Sequence, residues 1–504
     1  MILTAILVLV RFGSAARLLS DGIAAVGYPF ELDVGEGVVL TQTMQLLSGH
    51  PLYQPIEHAP FLVTVYPPVF HLLTAAVSTL IGNGLAAGRV LSLSSTILTA
   101  AIAGTVVWRA SDLPAPPLTR GLSALLAALS FLSVSYTAVW APLMRIDMCA
   151  HLLAWCGVLI FVRLAPHTRA CWSAIPFLLA VYTRQSSVAA PAACLLVALV
   201  LRPVLAVKLA TWLAAGGLST FALLTLWTHG QFYFHVVKGV QTAFDWHRLL
   251  WYLSDLRLRY PTEIAVALVS TRSLFRRSSP ERASRAVPPS LAAPRPPTVD
   301  WARPVLGTYL FTAFLIALTV GKVGSEVNYL VEFMAVVCVC AAVALGDALA
   351  EAGAVSPRAG ASAPAVLLAA LLLAPALGMH HGPATERIEI PNATQQSEMR
   401  HLVELLRHTD GPVLSQTATS LIIAGKPVEY QSCDALAQLA RLGWWDPTEF
   451  IARIEHQYYR LIILGADAGT MSESICFTAP MRDSIHRRYA AAETIGPYRI
   501  YRPA

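Results

Sequence analysis

Charged residues are scarce in this sequence. They make up 13% of its 504 residues, against about 25% in an average soluble domain, while hydrophobic residues make up 56%. This balance excludes an ordinary soluble protein and predicts a membrane protein with many spans.

Other patterns are also missing. The eight cysteines include no CxxC pair and no metal-ligand spacing, and most lie inside apolar runs, where cysteine behaves as a small hydrophobic residue. The net charge is +6, but Lys and Arg occur singly or in pairs between apolar runs and form no continuous basic face, so no nucleic-acid partner is predicted. No nucleotide-binding fingerprint occurs.

Apolar runs of about 20 residues mark the predicted spans, since a helix must cross roughly 30 Å of hydrocarbon at about 1.5 Å per residue. We predict spans near 2–20, 87–108, 121–140, 148–165, 186–201, 209–228, 303–320, 329–347 and 362–379, with shorter runs at 66–82, 172–183 and 260–271. The first run lacks a basic flank and a cleavage site, so we interpret it as a retained span.

Basic residues predict the orientation, because loops rich in Lys and Arg stay in the cytoplasm. All basic loops fall on the cytoplasmic side if 66–82 is interfacial or re-entrant, and Pro67 and Pro68 at its start favour that interpretation over a full span. The segment 272–302, rich in Arg, Pro and Ser, is then a cytoplasmic loop. The segment 23–65 is an acidic outer loop.

Composition changes after residue 380. Charged residues return, and short β-like runs alternate with helical ones, which predicts a small extracytoplasmic α/β domain at 384–504 after a membrane core at 1–380. The predicted fold class is therefore mainly α, a polytopic helical membrane protein with a small C-terminal α/β domain.

The acidic loop carries the first candidate site residues. From Phe30 to Pro68 the chain has four acidic residues and no Lys or Arg. Carboxylates at a bilayer edge are costly and are functional candidates by default, which applies to Asp33 and Glu36. Both could also cap a helix, with Asp33 at the N-cap and Glu36 three positions later, as N3.

Further polar residues interrupt apolar sequence near the same outer face. Arg145 and Asp147 lie between two spans and could serve as a simple ion pair. Arg184, beside Gln185, requires an anionic partner, and a guanidinium suits phosphate well. Asn328 and Glu332 lie one helical turn apart at the start of a predicted span, and Lys322 precedes that span. No metal site is predicted.

Together these residues resemble the GT-C superfamily of integral-membrane glycosyltransferases, in particular bacterial members related to protein O-mannosyltransferases and to the aminoarabinose transferase of lipid A. The resemblance covers roughly residues 1–350. It consists of the acidic first loop, the Y-P-P that starts at Tyr66, Arg89 on the next helix, the R-x-D of Arg145 and Asp147, and the basic residue with Gln at 184–185.

The resemblance implies an enzyme of the bacterial plasma membrane that moves a sugar from a polyprenyl-phosphate donor to a glycan, lipid or protein acceptor at the outer face. It implies a catalytic carboxylate at Asp33 or Glu36 and another at Asp147. Phosphate-binding cations fall on Arg184, Arg145 or Lys322, and Tyr66, Arg89, Gln185, Asn328 and Glu332 are the remaining substrate-binding candidates. The resemblance implies no particular cofactor, and a requirement for a divalent cation stays open.

A transporter or flippase is the main competing class, since ionisable residues in spans also line substrate and proton paths. The absence of a detectable inverted repeat and the long acidic first loop favour the transferase. A non-catalytic lipid- or polymer-binding scaffold is the third class. The sequence leaves open the sugar, the acceptor and which of Asp33 and Glu36 is the base.

Overall fold

A computed structural model of the protein describes residues 2–110, 116–165, 167–275, 300–354, 363–376, 387–465 and 473–504. Helices form nearly all of the described part up to residue 376. They are α1 (Ile2–Gly27), α2 (Val34–Leu47), α3 (Val69–Ile81), α4 (Gly84–Ala110), α5 (Pro117–Leu132), α6 (Ser135–Trp140), α7 (Asp147–Leu164), α8 (Ala174–Val181), α9 (Ala189–Leu201), α10 (Pro203–Trp227), α11 (Gln231–Tyr233), α12 (Trp246–Arg259), α13 (Pro261–Phe275), α14 (Ala302–Ala317), α15 (Asn328–Ala354) and α16 (Ala363–Ala376).

Six of these helical segments are long and apolar enough to cross a membrane: Leu3–Gly27, Gly84–Ala110, Asp147–Leu164, Pro203–Trp227, Ala302–Gly321 and Asn328–Glu351. The polytopic helical fold class is therefore confirmed. Most of the predicted basic loop 272–302 lies outside the described residues.

The predicted span 121–140 is wrong as a single helix, because α5 ends at Leu132 and α6 begins at Ser135. The Ser133 hydroxyl donates to the Arg11 carbonyl (3.1 Å), and the Ser135 N–H donates to the Tyr260 hydroxyl (2.8 Å). Partners on α1 and α12–α13 thus satisfy polar groups at the break, which an apolar sequence pattern does not reveal.

The run 66–82 contains α3, which has 13 residues. At about 1.5 Å per residue it is roughly 20 Å long, shorter than the roughly 30 Å of a hydrocarbon core. An interfacial or re-entrant position for this helix stays a prediction.

The C-terminal part is a small α/β domain. Its helices are α17 (Ala393–Arg407), α18 (Ala418–Ile423), α19 (Cys433–Arg441), α20 (Thr448–Glu455), α21 (Glu473–Cys476) and α22 (Ala479–Arg488). Four strands, β2 (Val413–Ser415), β4 (Leu461–Gly465), β5 (Tyr489–Ile495) and β6 (Tyr498–Pro503), form a sheet of order β2-β4-β6-β5 in which only the β2–β4 pair is parallel. A disulfide between Cys433 and Cys476 joins α19 to α21.

The segment 23–65 is not a free loop. It contains α2 and β1 (Phe61–Leu62), and β1 pairs in parallel with β3 (Tyr430–Gln431) of the C-terminal domain. Tyr28 and Phe30 pack into one hydrophobic cluster of that domain, and Phe61 packs into another. The segment 23–65, the first connection of the membrane core, therefore folds together with the C-terminal domain. Its helix α2 contacts α3 and α4 of the core as well as α18 of the domain.

Candidate active site

Glu36 and Arg89 form a fully buried pair. Arg89 donates to both oxygens of Glu36, at 2.8 and 2.6 Å, and both side chains have 0% exposure. The N–H groups of Leu32 and Met144 also donate to Glu36, each at 2.7 Å. Each of the two oxygens of this carboxylate thus accepts two hydrogen bonds. Because the side chain has 0% exposure, neither oxygen faces a space that a substrate can enter.

Arg89 also donates to backbone carbonyls at the end of α1 and just after it. Its two Nη atoms donate to the carbonyls of Ala25, Tyr28 and Phe30, each at 2.6 Å. A guanidinium on α4 therefore orders the end of α1 and the chain that follows it. Buried charges of this kind are stable only when they are paired and fully hydrogen-bonded.

Asp33 has a different environment. It is the N-cap of α2, where its Oδ1 accepts the Gly35 N–H at 2.9 Å, so the capping interpretation applies to this residue. The same oxygen pairs with Arg145 Nη1 at 2.9 Å, and the Asp33 side chain keeps 33% exposure. Of the two loop carboxylates, Asp33 is the one that a substrate can reach.

The contact between Asp33 and Arg145 depends on Gly35. A β-carbon at position 35 would lie 1.1 Å from Arg145 Nη1. Glycine therefore allows the guanidinium to lie against the backbone at the start of α2, a close approach that any side chain would block.

Asp147 is the centre of a second, deeper group. It lies in the first turn of α7 and is 1% exposed. Trp140 Nε1 donates to its Oδ2 at 2.7 Å, and Asn328 Nδ2 donates to its Oδ1 at 2.8 Å. Arg184 Nε lies 3.1 Å from the same Oδ1. The Arg145 guanidinium carbon lies 5.2 Å from the centre of the Trp140 ring. Because Arg145 also pairs with Asp33, Trp140 connects this group to Asp33.

Arg184 lies in the turn between α8 and α9 and is 4% exposed. Its guanidinium stacks over the Tyr329 ring at 4.4 Å. Its Nη2 is buried and has no hydrogen-bond partner. The ion pair with Asp147 thus uses only part of the guanidinium, and a further donor remains for an anionic ligand or a water.

Glu332 and His151 lie deeper, one helical turn beyond Asn328 and Asp147 respectively. Glu332 accepts a hydrogen bond from the Tyr309 hydroxyl (2.8 Å) through Oε1, while its Oε2 and both ring nitrogens of His151 are buried without a partner. Buried polar groups that lack partners commonly bind ordered water.

Tyr66 packs in a hydrophobic cluster with Met144 and Ile146, which flank Arg145 in the chain, and with Ile422 of the C-terminal domain. Burial raises the pKa of Tyr66 to about 12; the charge of Arg145 opposes the rise, and the charges of Asp147 and Asp434 add to it. Asp434 belongs to α19. Burial also raises the pKa of Asp434, against hydrogen bonds from backbone N–H groups at the start of α19 and the charge of Arg145.

Gln185 and Lys322 are among the predicted site residues that lie outside this group. Gln185 donates to the carbonyls of Val65 (2.6 Å) and Val236 (3.2 Å) and thereby supports the chain that leads to Tyr66. Lys322 is exposed, and its backbone forms an isolated bridge with Phe244. Glu36 and Arg89 form their own buried pair, and Glu332 is hydrogen-bonded to Tyr309. The other six candidates are brought together: Asp33, Arg145, Asp147, Arg184, Asn328 and Tyr66.

Sequence reasoning missed Trp140 and Asp434. Trp140 lies in an apolar run, and only its contacts with Asp147 and Arg145 distinguish it. Asp434 follows one of the two cysteines of the polar region, but no local pattern connects it to Arg145. Among the described residues, no group of three or more His, Cys, Asp or Glu side chains is arranged to hold a metal ion.

No protein-family model matches this chain, and no curated protein matches it. Solved structures do. The chain is similar to ArnT from Cupriavidus metallidurans, both bound to undecaprenyl phosphate (TM-score 0.57, 12% identity, 97% of each chain) and in the apo state (TM-score 0.59, 12% identity, 97% of this chain and 98% of that one). It is also similar to the oligosaccharyltransferase AglB from Archaeoglobus fulgidus in complex with an inhibitory peptide and a dolichol-phosphate (TM-score 0.50, 11% identity, 98% of this chain and 74% of that one).

The chain has the GT-C fold. ArnT and AglB are both membrane glycosyltransferases of this fold, and the match to ArnT extends over the C-terminal domain as well as the helices. At 11–12% identity the likeness concerns the fold, so the chemistry has to be argued from the residues of this chain.

Proposed function

We propose that this GT-C protein transfers a sugar from a polyprenyl-phosphate donor to an acceptor at the outer face of the membrane. The observation that carries the proposal is that an accessible carboxylate, Asp33, pairs with Arg145, whose guanidinium stacks on Trp140, while Trp140 donates to Asp147, the partner of a second guanidinium, Arg184. The likeness to an ArnT structure bound to undecaprenyl phosphate supports the donor class.

Asp33 serves as the general base in this proposal. The acceptor oxygen attacks the anomeric carbon of the donor sugar and its proton passes to Asp33, while the bond from the anomeric carbon to the phosphate oxygen breaks. A positioned carboxylate is needed because a hydroxyl is a weak nucleophile. The phosphate leaves with the bonding electron pair.

The arginines stabilise the charge that develops on this leaving phosphate. Arg184 has a free Nη2, and Arg145 has partial exposure, so each can direct a donor to the phosphate. Asp147 orients Arg184 and is itself held by Trp140 and Asn328. Glu36 and Arg89 act as a structural pair, and no acid–base role is assigned to Glu36.

The proposal is tested with purified protein in liposomes and a polyprenyl-phosphate donor that carries a radiolabelled sugar, with an envelope extract as the source of acceptor. We expect release of free polyprenyl phosphate and transfer of label, both lost in Asp33→Asn. Label that accumulates inside intact liposomes without donor cleavage would instead indicate a transporter, a class for which the structural comparisons give no support.

The site is proposed to face the extracytoplasmic side. The disulfide Cys433–Cys476 supports this orientation, because disulfides persist in oxidising compartments. With the other cysteines replaced, single cysteines at the exposed positions 57 and 446 should react with an impermeant reagent added to intact cells, and one at 285 only after permeabilisation. Labelling at 285 in intact cells contradicts the orientation.

A further inference from the structure

A cavity of about 160 Å³ lies where the C-terminal domain meets the outer loops of the membrane core. Thr242, Ala243 and Val323 line it on the core side, and Asp434, Gln438 and Arg441 line it on the domain side. Neither half of the molecule forms this cavity alone. A ligand bound here would contact both.

The domain side is one face of α19, completed by Ile475 of α21. Asp434, Gln438 and Arg441 stand at positions i, i+4 and i+7, which places their side chains in one row. Two restraints hold this helix in place: the disulfide at Cys433 and the hydrogen bond from Ser432 Oγ to the Val63 carbonyl (2.8 Å). The row is therefore presented to the core by a fixed element.

The segment that leads into α19 connects this cavity to the helix that carries Asp33. Gln431, three residues before Asp434, donates to the Gly37 carbonyl (3.0 Å) of α2, and Asp33 is the N-cap of α2. A β-carbon at Gly324 would lie 3.3 Å from Asp434 Oδ2, so the carboxylate lies against the loop that precedes α15. The lining of the cavity is therefore fixed both to α2 and to the start of α15, which carry residues of the candidate active site.

The cavity and the candidate active site differ in charge. Arg184 and Arg145 favour an anion in the candidate site, where the donor phosphate is proposed to bind. The cavity is lined by one acidic and one basic side chain, Asp434 and Arg441, so it has no net preference for an anion, and both side chains can form hydrogen bonds with hydroxyl groups. The volume is below the roughly 300–1,000 Å³ of pockets that enclose a whole drug-sized ligand, so it suits a single ring rather than a complete lipid or chain.

We propose that this cavity is the acceptor subsite, and that it holds one hydroxylated glycosyl ring through Asp434, Gln438 and Thr242. The inference rests on the proposed function and assigns the acceptor, or at least its reactive end, to the carbohydrate class. Gln438 contributes both an amide donor and an acceptor, and the Thr242 hydroxyl can do either, so the lining matches the mixed hydrogen bonding of a sugar.

The test uses protein in lipid nanodiscs and three probes, methyl α-glucoside, methyl α-mannoside and methyl N-acetyl-α-glucosaminide, with saturation-transfer NMR. We expect saturation transfer to at least one glycoside in the wild-type protein and its loss in Gln438→Trp, whose indole fills the cavity. Leu442→Trp is the matched control, because Leu442 follows the same helix, is 43% exposed and does not line the cavity.

Affinity for undecaprenyl phosphate, measured on the same samples, separates this inference from the proposed function. It should be equal in wild type, Gln438→Trp and Leu442→Trp. A wild-type protein that binds no undecaprenyl phosphate and cleaves no donor contradicts the proposed function itself. Intact donor binding with no saturation transfer in the wild type, or with equal transfer in Gln438→Trp, overturns the acceptor subsite alone.

Asp434→Asn provides a second variant that keeps the size of the side chain, in case the tryptophan prevents folding. We expect its affinity for the responding glycoside to fall about tenfold, the loss expected for one charge-assisted hydrogen bond. Its affinity for undecaprenyl phosphate should not fall. Unchanged glycoside affinity in a folded Asp434→Asn protein also contradicts the proposal.

Discussion

Asp33 and Glu36 lie three residues apart in sequence and have opposite environments. Glu36 accepts four hydrogen bonds and is enclosed with Arg89, whereas Asp33 is one-third exposed beside Arg145. The spacing that puts Asp33 at the N-cap turns Glu36 back toward the helix bundle. One residue thus remains available for chemistry while the other stabilises the segment that presents it.

The two substitutions Asp33→Asn and Glu36→Gln should therefore fail in different ways. Asn is as good an N-cap as Asp, so Asp33→Asn should keep the wild-type melting temperature and lose about 10²–10⁴-fold in turnover, as expected for a general base. Glu36→Gln leaves the buried Arg89 charge without its counter-ion and should lower the free energy of unfolding by about 3–5 kcal/mol. Donor cleavage and thermal unfolding are measured on both proteins. Wild-type turnover in Asp33→Asn would show that Asp33 is not the general base.

Gly35 is the third residue of this segment with a specific requirement. The added β-carbon of Gly35→Ala would lie 1.1 Å from Arg145 Nη1 and must displace the guanidinium from Asp33. We expect donor turnover to fall at least about tenfold, the loss of one charged hydrogen bond, with Asp33 still present. Gly13→Ala is the control, because nothing lies within 4 Å of a β-carbon there. Equal turnover in Gly35→Ala and Gly13→Ala would show that the ion pair is dispensable.

At the scale of elements, the site depends on where helices stop. Arg184 lies in the turn between α8 and α9, Asp147 in the first turn of α7, and Asn328 at the start of α15. Each terminus brings one polar side chain to the same level of the bundle. A carboxylate in the first turn of a helix is also favoured by the helix dipole.

Arg184 allows a prediction about this junction. In Arg184→Ala, Asp147 loses its counter-ion, which should lower the melting temperature, but it still accepts hydrogen bonds from Trp140 and Asn328, so the variant should fold. Its affinity for undecaprenyl phosphate should fall about tenfold to a hundredfold. Arg184→Lys keeps the charge but lacks the planar guanidinium with its paired donors. Its affinity for undecaprenyl phosphate should lie between those of the wild type and Arg184→Ala.

The control for this series is Arg169→Ala, at an exposed arginine in the connection between α7 and α8. Its affinity for undecaprenyl phosphate should match that of the wild type. A folded Arg184→Ala protein with unchanged affinity would leave the structural ion pair with Asp147 as the only role of Arg184.

At the scale of the whole molecule, the C-terminal domain is docked on the first connection of the membrane core. β1 pairs with β3, Gln431 donates to the carbonyls of Gly37 (3.0 Å) and Val38 (2.9 Å), and Glu31 accepts from the Thr419 N–H (3.3 Å) and the Tyr498 hydroxyl (3.4 Å). Domain and core therefore share the segment that carries Asp33.

Glu31 should make this docking sensitive to pH. Burial raises the pKa of Glu31 from 4.5 to about 7, against hydrogen bonds from Thr419 and Thr417. A raised pKa in the folded state means that the stabilisation is full below the unfolded value and is lost as pH rises through the folded one. The melting temperature of the domain should therefore fall between about pH 5 and pH 8.

Glu31→Gln should remove most of this pH dependence, because the amide does not titrate. Glu404→Gln, which changes an exposed carboxylate paired with Arg407, is the control and should keep the wild-type slope. Identical slopes in wild type and Glu31→Gln, measured by differential scanning fluorimetry across that range, would contradict a role for Glu31 in docking.

The sequence alone determined the features that depend on local composition and order. Apolar runs of membrane length predicted the helical core, and returning charge after residue 380 predicted the α/β domain. These two inferences about the fold succeed because the cost of placing charge in hydrocarbon depends on residue type and position along the chain. The acidic first loop indicated Asp33, and interrupted apolar runs indicated Arg145, Asp147, Arg184 and Asn328, whose roles stay predictions.

Only the tertiary structure decided which charged residue meets which. Glu36 and Asp33 have equal standing in sequence, and 53 residues separate Glu36 from its partner Arg89. Gln431 reaches the carbonyls of Gly37 and Val38 only because the C-terminal domain folds back on the first connection. Partner choice between distant residues depends on packing and burial, which composition and spacing do not specify.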